Sequence, residues 1–193
     1  MNMTVLLFDN QIYGMTKKQT SPTSPMGTIS NTHPLGSVLP PINPLVTTLG
    51  VANVSFVAQT ADWIPSLLYA TIRRAYEHPG FSFVKIIMRC PKFMPQAVDA
   101  RVADKEHICL LTHKDGVPVD ESTGRVFAHH LAHDPTDIDR ARHLAADGEN
   151  SYLGLFYHNP GALRYDLYGA HNLHYTAEQK IGAINEELER FLV

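Results

Sequence analysis

Val5-Leu6-Leu7-Phe8-Asp9-Asn10-Gln11-Ile12-Tyr13-Gly14-Met15-Thr16-Lys17-Lys18 joins a short apolar run to an acid, an amide and a glycine-containing turn. The apolar residues have the length and branching of a buried strand, and the polar residues follow where such a strand would leave its sheet. Asp9 and Asn10 would then present hard oxygen donors at a sheet edge, the chemistry that Mg2+ and a diphosphate require. The same two residues also suit an Asx-turn that caps the strand and binds nothing. Spacing alone leaves both readings open.

The longer string Leu6 to Pro25, Leu-Leu-Phe-Asp-Asn-Gln-Ile-Tyr-Gly-Met-Thr-Lys-Lys-Gln-Thr-Ser-Pro-Thr-Ser-Pro, resembles the second half of a thiamine diphosphate motif. The family is the beta subunit of 2-oxoacid:ferredoxin oxidoreductases. The resemblance implies that the Asn10 side-chain oxygen and the Ile12 backbone carbonyl hold Mg2+. It implies too that Tyr13, Gly14, Met15 and Thr16 line the thiamine diphosphate site. Lys18 departs from the pattern, because a small residue, usually glycine, stands there in the family.

The strand Gly80-Phe81-Ser82-Phe83-Val84 and its ending Cys90-Pro91 look like the family segment that supplies the last of four thiolates to a [4Fe-4S] cluster. Read without the resemblance, a lone cysteine is a small apolar residue. A thiolate cage needs all four ligands, and the family's Cys-x-x-Cys pair and third cysteine have no counterpart here. The Gly-Asp-Gly element that provides the family's Mg2+ carboxylate is likewise missing. The resemblance therefore corresponds to the C-terminal portion of the family's beta subunit. The expectation is a truncated or start-shifted version of a longer protein, or one half of a split gene.

Composition narrows the function classes. A length of 193 residues suits one core rather than two large domains. A net charge of -3 with 18% charged residues gives no basic footprint for nucleic acid. No apolar run has the length of a membrane span, and Met1-Asn2-Met3-Thr4 lacks the cationic start of a signal peptide. The two cysteines, Cys90 and Cys109, fit a reducing compartment, so a cytoplasmic location is expected. Cys109, within Ile108-Cys109-Leu110-Leu111, reads as core packing.

Further along, residues 20 to 44 form a long Pro/Ser/Thr/Gly-rich loop, either functional or a mobile linker. By resemblance it passes over the cofactor. Val54, Phe56 and Ala58 mark a strand. Thr60 or Asp62 is a candidate cap for a helix whose face is Ile64, Leu67, Leu68, Ile72 and Ala75, with Pro65 in the first turn and Pro79-Gly80 as its stop. Phe81 to Met88 reads as a strand covered on both faces. Beyond Cys90 short helices are expected rather than more buried strands, with a turn at Lys114-Asp115-Gly116. Capping boxes are expected at Thr136/Asp139 and Thr176/Gln179, the second ahead of the stripe Ile181, Ile184, Leu188 and Phe191.

Among ionisable groups, His129-His130-x-x-His133-Asp134 is the densest. On a helix His129 and His133 would share a face at a spacing that can chelate a transition metal, although solvent-facing histidines near polar turns are commoner. His171 and His174 are treated likewise. Lys17 and Lys18 suit either a phosphate or substrate carboxylate, or a solvated basic loop. Leu153 to Pro160 and Arg164-Tyr165-Asp166 resemble a C-terminal signature of two-subunit bacterial members, read as packing or subunit contact.

The expected fold is α/β: a thiamine diphosphate-binding fold, with an incomplete parallel sheet, helices on both faces and a helical or irregular C-terminal extension. Residues 1–95 would be the C-terminal part of the cofactor domain and residues 96–193 an extension packed on it. The resemblance implies oxidative decarboxylation of a 2-oxoacid, of the 2-oxoglutarate type, to an acyl-CoA with electrons passed to ferredoxin. The cofactors implied are thiamine diphosphate, Mg2+ and, in an N-terminally complete protein, a [4Fe-4S] cluster. The partners implied are an alpha subunit, ferredoxin, the 2-oxoacid and CoA, and the chain alone is expected to be inactive. Two other readings are a non-oxidative thiamine diphosphate-dependent decarboxylase subunit and a non-catalytic assembly subunit that keeps the fold.

Overall fold

The computed structural model describes residues 2–95, 105–168 and 176–190. His171, His174 and Phe191, singled out above, lie outside the described residues. Six strands, β1 (Met3–Asp9), β2 (Phe56–Ala61), β3 (Phe81–Ile87), β4 (Ile108–Thr112), β5 (His129–Ala132) and β6 (Ser151–His158), form one sheet in the order β1-β3-β2-β6-β4-β5. All neighbouring strands are parallel except β2 and β6, which run antiparallel with a register shift between Val57 and Ala58. The sheet is thus two parallel blocks of opposite sense joined at one seam. β1, whose apolar run reads as a buried strand, is instead an edge strand paired with β3, and of its residues only Asp9 is buried.

Helices cover both faces, as the apolar patterning predicts. Helix α1 (Pro44–Leu49) and helix α2 (Pro65–Glu77) come first in the chain. α2 is the crossover between β2 and β3, and Ile64, Leu67 and Ala75 bury against Phe56, Ala58, Val84 and Ile86. Pro65 stands in its first turn and it ends before Pro79-Gly80, but neither Thr60 nor Asp62 caps it. The N-cap is Ile64 with no side-chain hydrogen bond, while the Asp62 carboxylate accepts from the Arg89 amide at 3.3 Å. Next come helix α3 (Glu121–Gly124) and helix α4 (Ile138–Ala146). On the opposite face, Leu45 and Leu49 of α1 meet Ala141, Leu144 and Ala145 of α4 over Val57, Phe83 and Phe156. Alternate residues of β2 serve the two cores, as strand geometry requires.

The segment after Cys90 departs from the expected short helices, because β4, β5 and β6 add three strands to the sheet. The turn at Lys114-Asp115-Gly116 is present, with the Gly116 amide donating to His113 at 3.0 Å. α4 is capped by Asp137, which accepts from the Arg140 amide at 2.9 Å, and not by Thr136. The Thr136 hydroxyl is turned to Asp134 at 2.8 Å.

Residues 163–193 form a unit separate from Asn2–Ala162. It contains helix α5 (Tyr165–Tyr168) and helix α6 (Ala177–Glu189). The capping box of Thr176 and Gln179 is complete, with both reciprocal bonds made. Ile181, Ile184 and Leu188 are each 59% exposed. Among the described residues no helix is long and apolar enough to cross a membrane.

At the seam, the Phe56 ring lies 5.4 Å from His78 and 6.0 Å from His158. Burial, reinforced by the nearby Arg74 cation and only partly opposed by Asp115, pushes the His158 imidazole below the usual histidine range. The folded state therefore favours neutral His158, so its contribution is complete above the unfolded value of about 6.5 and is lost as pH falls through the lower folded value. Melting temperature should drop between pH 7 and pH 5, and His158→Gln should flatten that part of the profile in a differential scanning series.

Candidate active site at the carboxyl edge of the sheet

β1, β2 and β3 end together, since Asp9 and Ala61 are both in register with Ile87. Open α/β sheets bind ligands at this edge. Immediately beyond β1 the chain makes two successive Asx-turns. Asp9 Oδ1 accepts from the Gln11 amide and Asn10 Oδ1 from the Ile12 amide, each at 3.1 Å. The Asx alternative is therefore present, but it does not compete with a ligand role, because a carboxamide oxygen keeps a second lone pair. Gln11 sits at φ +60°, which gives the turn its reversal, and the Ile12 side chain is buried beneath it at 2% exposure.

Tyr13 and Gln19 then pair in an isolated antiparallel bridge, with N–O distances of 2.9 and 3.3 Å, which closes the Tyr13–Thr16 turn into a loop. The Lys17 amide donates to the Gly14 carbonyl at 3.0 Å. Lys17 and Lys18 have φ of +64° and +70°. The backbone thus takes, with lysine at 18, the left-handed conformation for which glycine is the usual choice. Met15 is 99% exposed at the tip.

Cys90 is brought to this same turn. A Cβ placed on Gly14 would lie 3.6 Å from Cys90 Sγ and 3.8 Å from the Phe93 ring. Two stretches singled out separately in sequence, residues 13–16 and the end of β3, thus form one surface. Cys109 does not join them. It is buried in β4, three strand positions from β3 or roughly 14 Å at the usual strand spacing, and burial raises its thiol pKa.

The long loop proves to be tied down at both ends of the turn rather than a mobile linker. The Thr23 hydroxyl donates to Asp9 Oδ1 and the Ser24 hydroxyl to the Gln11 carbonyl, both at 2.6 Å. Asn31 donates through its side chain to the Lys17 carbonyl and through its amide to the Lys18 carbonyl at 2.9 Å. Asp9 Oδ2 faces the Lys85 ammonium at 3.5 Å, with both side chains largely buried. Asp9, Gln11, Thr23, Gln59, Lys85 and Asn150 contribute to a cleft of about 270 Å3 here. Gln11 Oε1 is buried there without a hydrogen-bond partner among the described residues. The sequence reading passed over Lys85, Thr23 and Ser24. A lysine inside the mostly apolar Phe81–Met88 run was the available signal, because a buried ammonium requires a paired acceptor.

The donor set fits Mg2+ in kind. Asn10 Oδ1 and the Ile12 carbonyl are hard oxygens, and among the described residues nothing donates to the Ile12 carbonyl. Asp9 is committed to Thr23, Gln11 and Lys85. The donor set does not fit a [4Fe-4S] cluster within this chain, since Cys90 is a single thiolate and Cys109 is remote.

The histidine cluster behaves differently from the chelating helix considered above. His129 to Ala132 is a strand, so His129 and His133 lie about 13 Å apart along it. His129 pairs with Glu106 at 3.1 Å, and His133 is buried against the Phe156 carbonyl at 2.7 Å. Among the described residues no group of three or more His, Cys, Asp or Glu side chains is placed to hold a metal ion.

Comparison with known proteins agrees with this fold. Residues 1–86 match the family model of the thiamine pyrophosphate enzyme C-terminal TPP binding domain. More particularly, over about half its length the chain is similar to 2-oxoglutarate oxidoreductase and synthase subunits. It is 36% identical over 118 residues to the 2-oxoglutarate oxidoreductase subunit KorB of Mycobacterium tuberculosis, a match covering 61% of this chain and 31% of that protein. It is 37% identical over 92 residues to the 2-oxoglutarate synthase subunit KorB of Methanothermobacter thermautotrophicus, covering 48% and 32% respectively. The fold matches the 2-oxoglutarate:ferredoxin oxidoreductase of Magnetococcus marinus, solved with 2-oxoglutarate, coenzyme A and succinyl-CoA bound. There the TM-score is 0.65 and the identity 29%, over 97% of this chain and 53% of that one. The matches thus span about a third of these two curated relatives and about half of the solved chain.

Proposed function

We propose that this chain serves in the beta subunit of a 2-oxoacid:ferredoxin oxidoreductase of the 2-oxoglutarate type. The complete enzyme would decarboxylate a 2-oxoacid oxidatively to an acyl-CoA, with an alpha subunit and ferredoxin as partners, in the cytoplasm. The observation that carries this reading is the Asp9–Gln19 turn, which leaves Asn10 Oδ1 and the Ile12 carbonyl as oxygen donors at the carboxyl edge of the sheet. In this reading these two oxygens hold Mg2+, and Tyr13, Gly14, Met15 and Thr16 form the wall against the cofactor. Thiamine diphosphate, when bound, supplies the electron sink that lets carbon dioxide leave the 2-oxoacid. The chain's own residues supply position: the double Asx-turn orients the donors, and the Tyr13–Gln19 bridge fixes the wall. Residues 1–95 would form the cofactor-binding part and residues 96–193 an extension of it, whose strands β4, β5 and β6 continue the same sheet through the pairing of β6 with β2. Cys90, beside Gly14, would contribute one thiolate to a [4Fe-4S] cluster in the complete enzyme.

Anaerobic calorimetry with thiamine diphosphate, with and without Mg2+, tests this directly. Saturable Mg2+-dependent binding is expected, weakened at least about tenfold in Asn10→Ala, the scale of one lost charge-assisted contact. No binding by the wild-type chain would overturn the assignment of the site to this chain. The single thiolate favours a second reading, an assembly subunit that keeps the fold without the cofactor. Stable capture of an alpha subunit with no Mg2+-dependent cofactor binding would establish that reading instead. A non-oxidative decarboxylase subunit would tolerate Cys90→Ser without loss of turnover in the assembled enzyme.

A further inference from the structure

Two hydroxyls of the Ser21-Pro22-Thr23-Ser24-Pro25 segment close over the turn that follows β1. Thr23 donates to Asp9 Oδ1 and Ser24 to the Gln11 carbonyl. Ser24 also accepts from the Ser21 amide at 2.8 Å, so the hydroxyl that holds the turn is itself held by the segment's own backbone. Ser24 is 4% exposed and Asp9 6% exposed, so each contact has one buried partner and is costly to lose. The closure uses residues 9 and 11 and leaves the donors of residues 10 and 12 untouched.

We propose that Asp9 is the positioning residue of this site, acting with Thr23 and Ser24 as a buckle that sets the turn on which Asn10 and Ile12 are carried; the inference rests on the cofactor reading above. One carboxylate ties together three separate parts of the chain: its own turn through the Gln11 amide, the overlying loop through Thr23, and β3 through Lys85. Asp9 itself makes no contact with the cofactor in this scheme. Its effect passes through the Gln11 backbone to the residues on either side.

Hydrogen exchange on the cofactor-free full chain reads the buckle without relying on activity. Asp9→Asn and Thr23→Val should each speed exchange of residues 9–31 about tenfold or more, with β2 unchanged, and Thr23→Ser should restore the wild-type pattern. In the same proteins Mg2+-dependent affinity for thiamine diphosphate should fall about tenfold in Thr23→Val and recover in Thr23→Ser. Asp9→Asn is the variant at greater risk of unfolding, and Thr23→Val keeps the test decisive. Equal acceleration in β2 and in residues 9–31 would overturn the buckle as a local device. Faster local exchange with unchanged cofactor affinity would overturn its positioning role. A wild-type chain that binds no cofactor would overturn the underlying reading, a result separate from the exchange pattern.

Discussion

Gly154→Val should lower stability by about 3–5 kcal/mol, measured as a shift in the urea midpoint with little change in slope. Gly154 lies in β6 at φ +126°, a conformation that β-branched residues do not tolerate. A Cβ there would also stand 3.0 Å from the Leu111 carbonyl and 3.1 Å from the Leu111 side chain. Both neighbours belong to β4, so relief would require β4 and β6 to move apart, with loss of their pairing around Leu110 and Leu153. The same strand carries the antiparallel seam to β2, in which Gly154 is in register with Gln59. Gln59 donates to the Tyr152 carbonyl at 2.8 Å and lines the cleft beside Asp9. Widening β6 from β4 should therefore be felt at the candidate site as well as in the core. Gly154→Ala should cost less, because it adds the strain and the close approach without a branched side chain.

The amino-acid pattern exposed some of this architecture and hid the rest for physical reasons. The α2 face could be read because Ile64, Leu67 and Ala75 repeat at helical spacing and Pro65 and Pro79-Gly80 bracket the element. The strand at Phe81–Ile87 could be read because it is buried on both faces. β5 could not, since His129–Ala132 is polar and largely exposed at a sheet edge and therefore shows no alternation. β4 is only five residues long and follows a polar stretch. The seam between β2 and β6 joins residues about a hundred positions apart; no local pattern encodes the direction in which two such strands meet. At the candidate site, Asn10 and Ile12 are proposed through a resemblance, whereas Asp9 suits either metal or turn. The structure commits its carboxylate to Gln11, Thr23 and Lys85. Lys85 and Thr23 lie 76 and 14 positions from Asp9 in the chain, so this network became visible only once β1 and β3 were placed side by side.

That network predicts a separation between stability and cofactor binding. Asp9→Leu should cost about 3 kcal/mol or more, because the largely buried Lys85 ammonium loses its carboxylate, and removing one member of a buried pair is far more damaging than removing both. Adding Lys85→Met should recover most of that loss, since methionine fills a similar volume without a charge to solvate. The double variant should then melt near the wild-type temperature. It still lacks the acceptor for the Thr23 hydroxyl and for the Gln11 amide, both of which are bonded to Asp9 Oδ1 in the intact protein. Mg2+-dependent thiamine diphosphate binding should therefore remain weak in the double variant although the fold is restored. If binding returned together with stability, Asp9 would be a structural ion-pair partner and nothing more. Continued weakness in a stably folded chain would assign the orientation of Asn10 and Ile12 to the carboxylate at the end of β1.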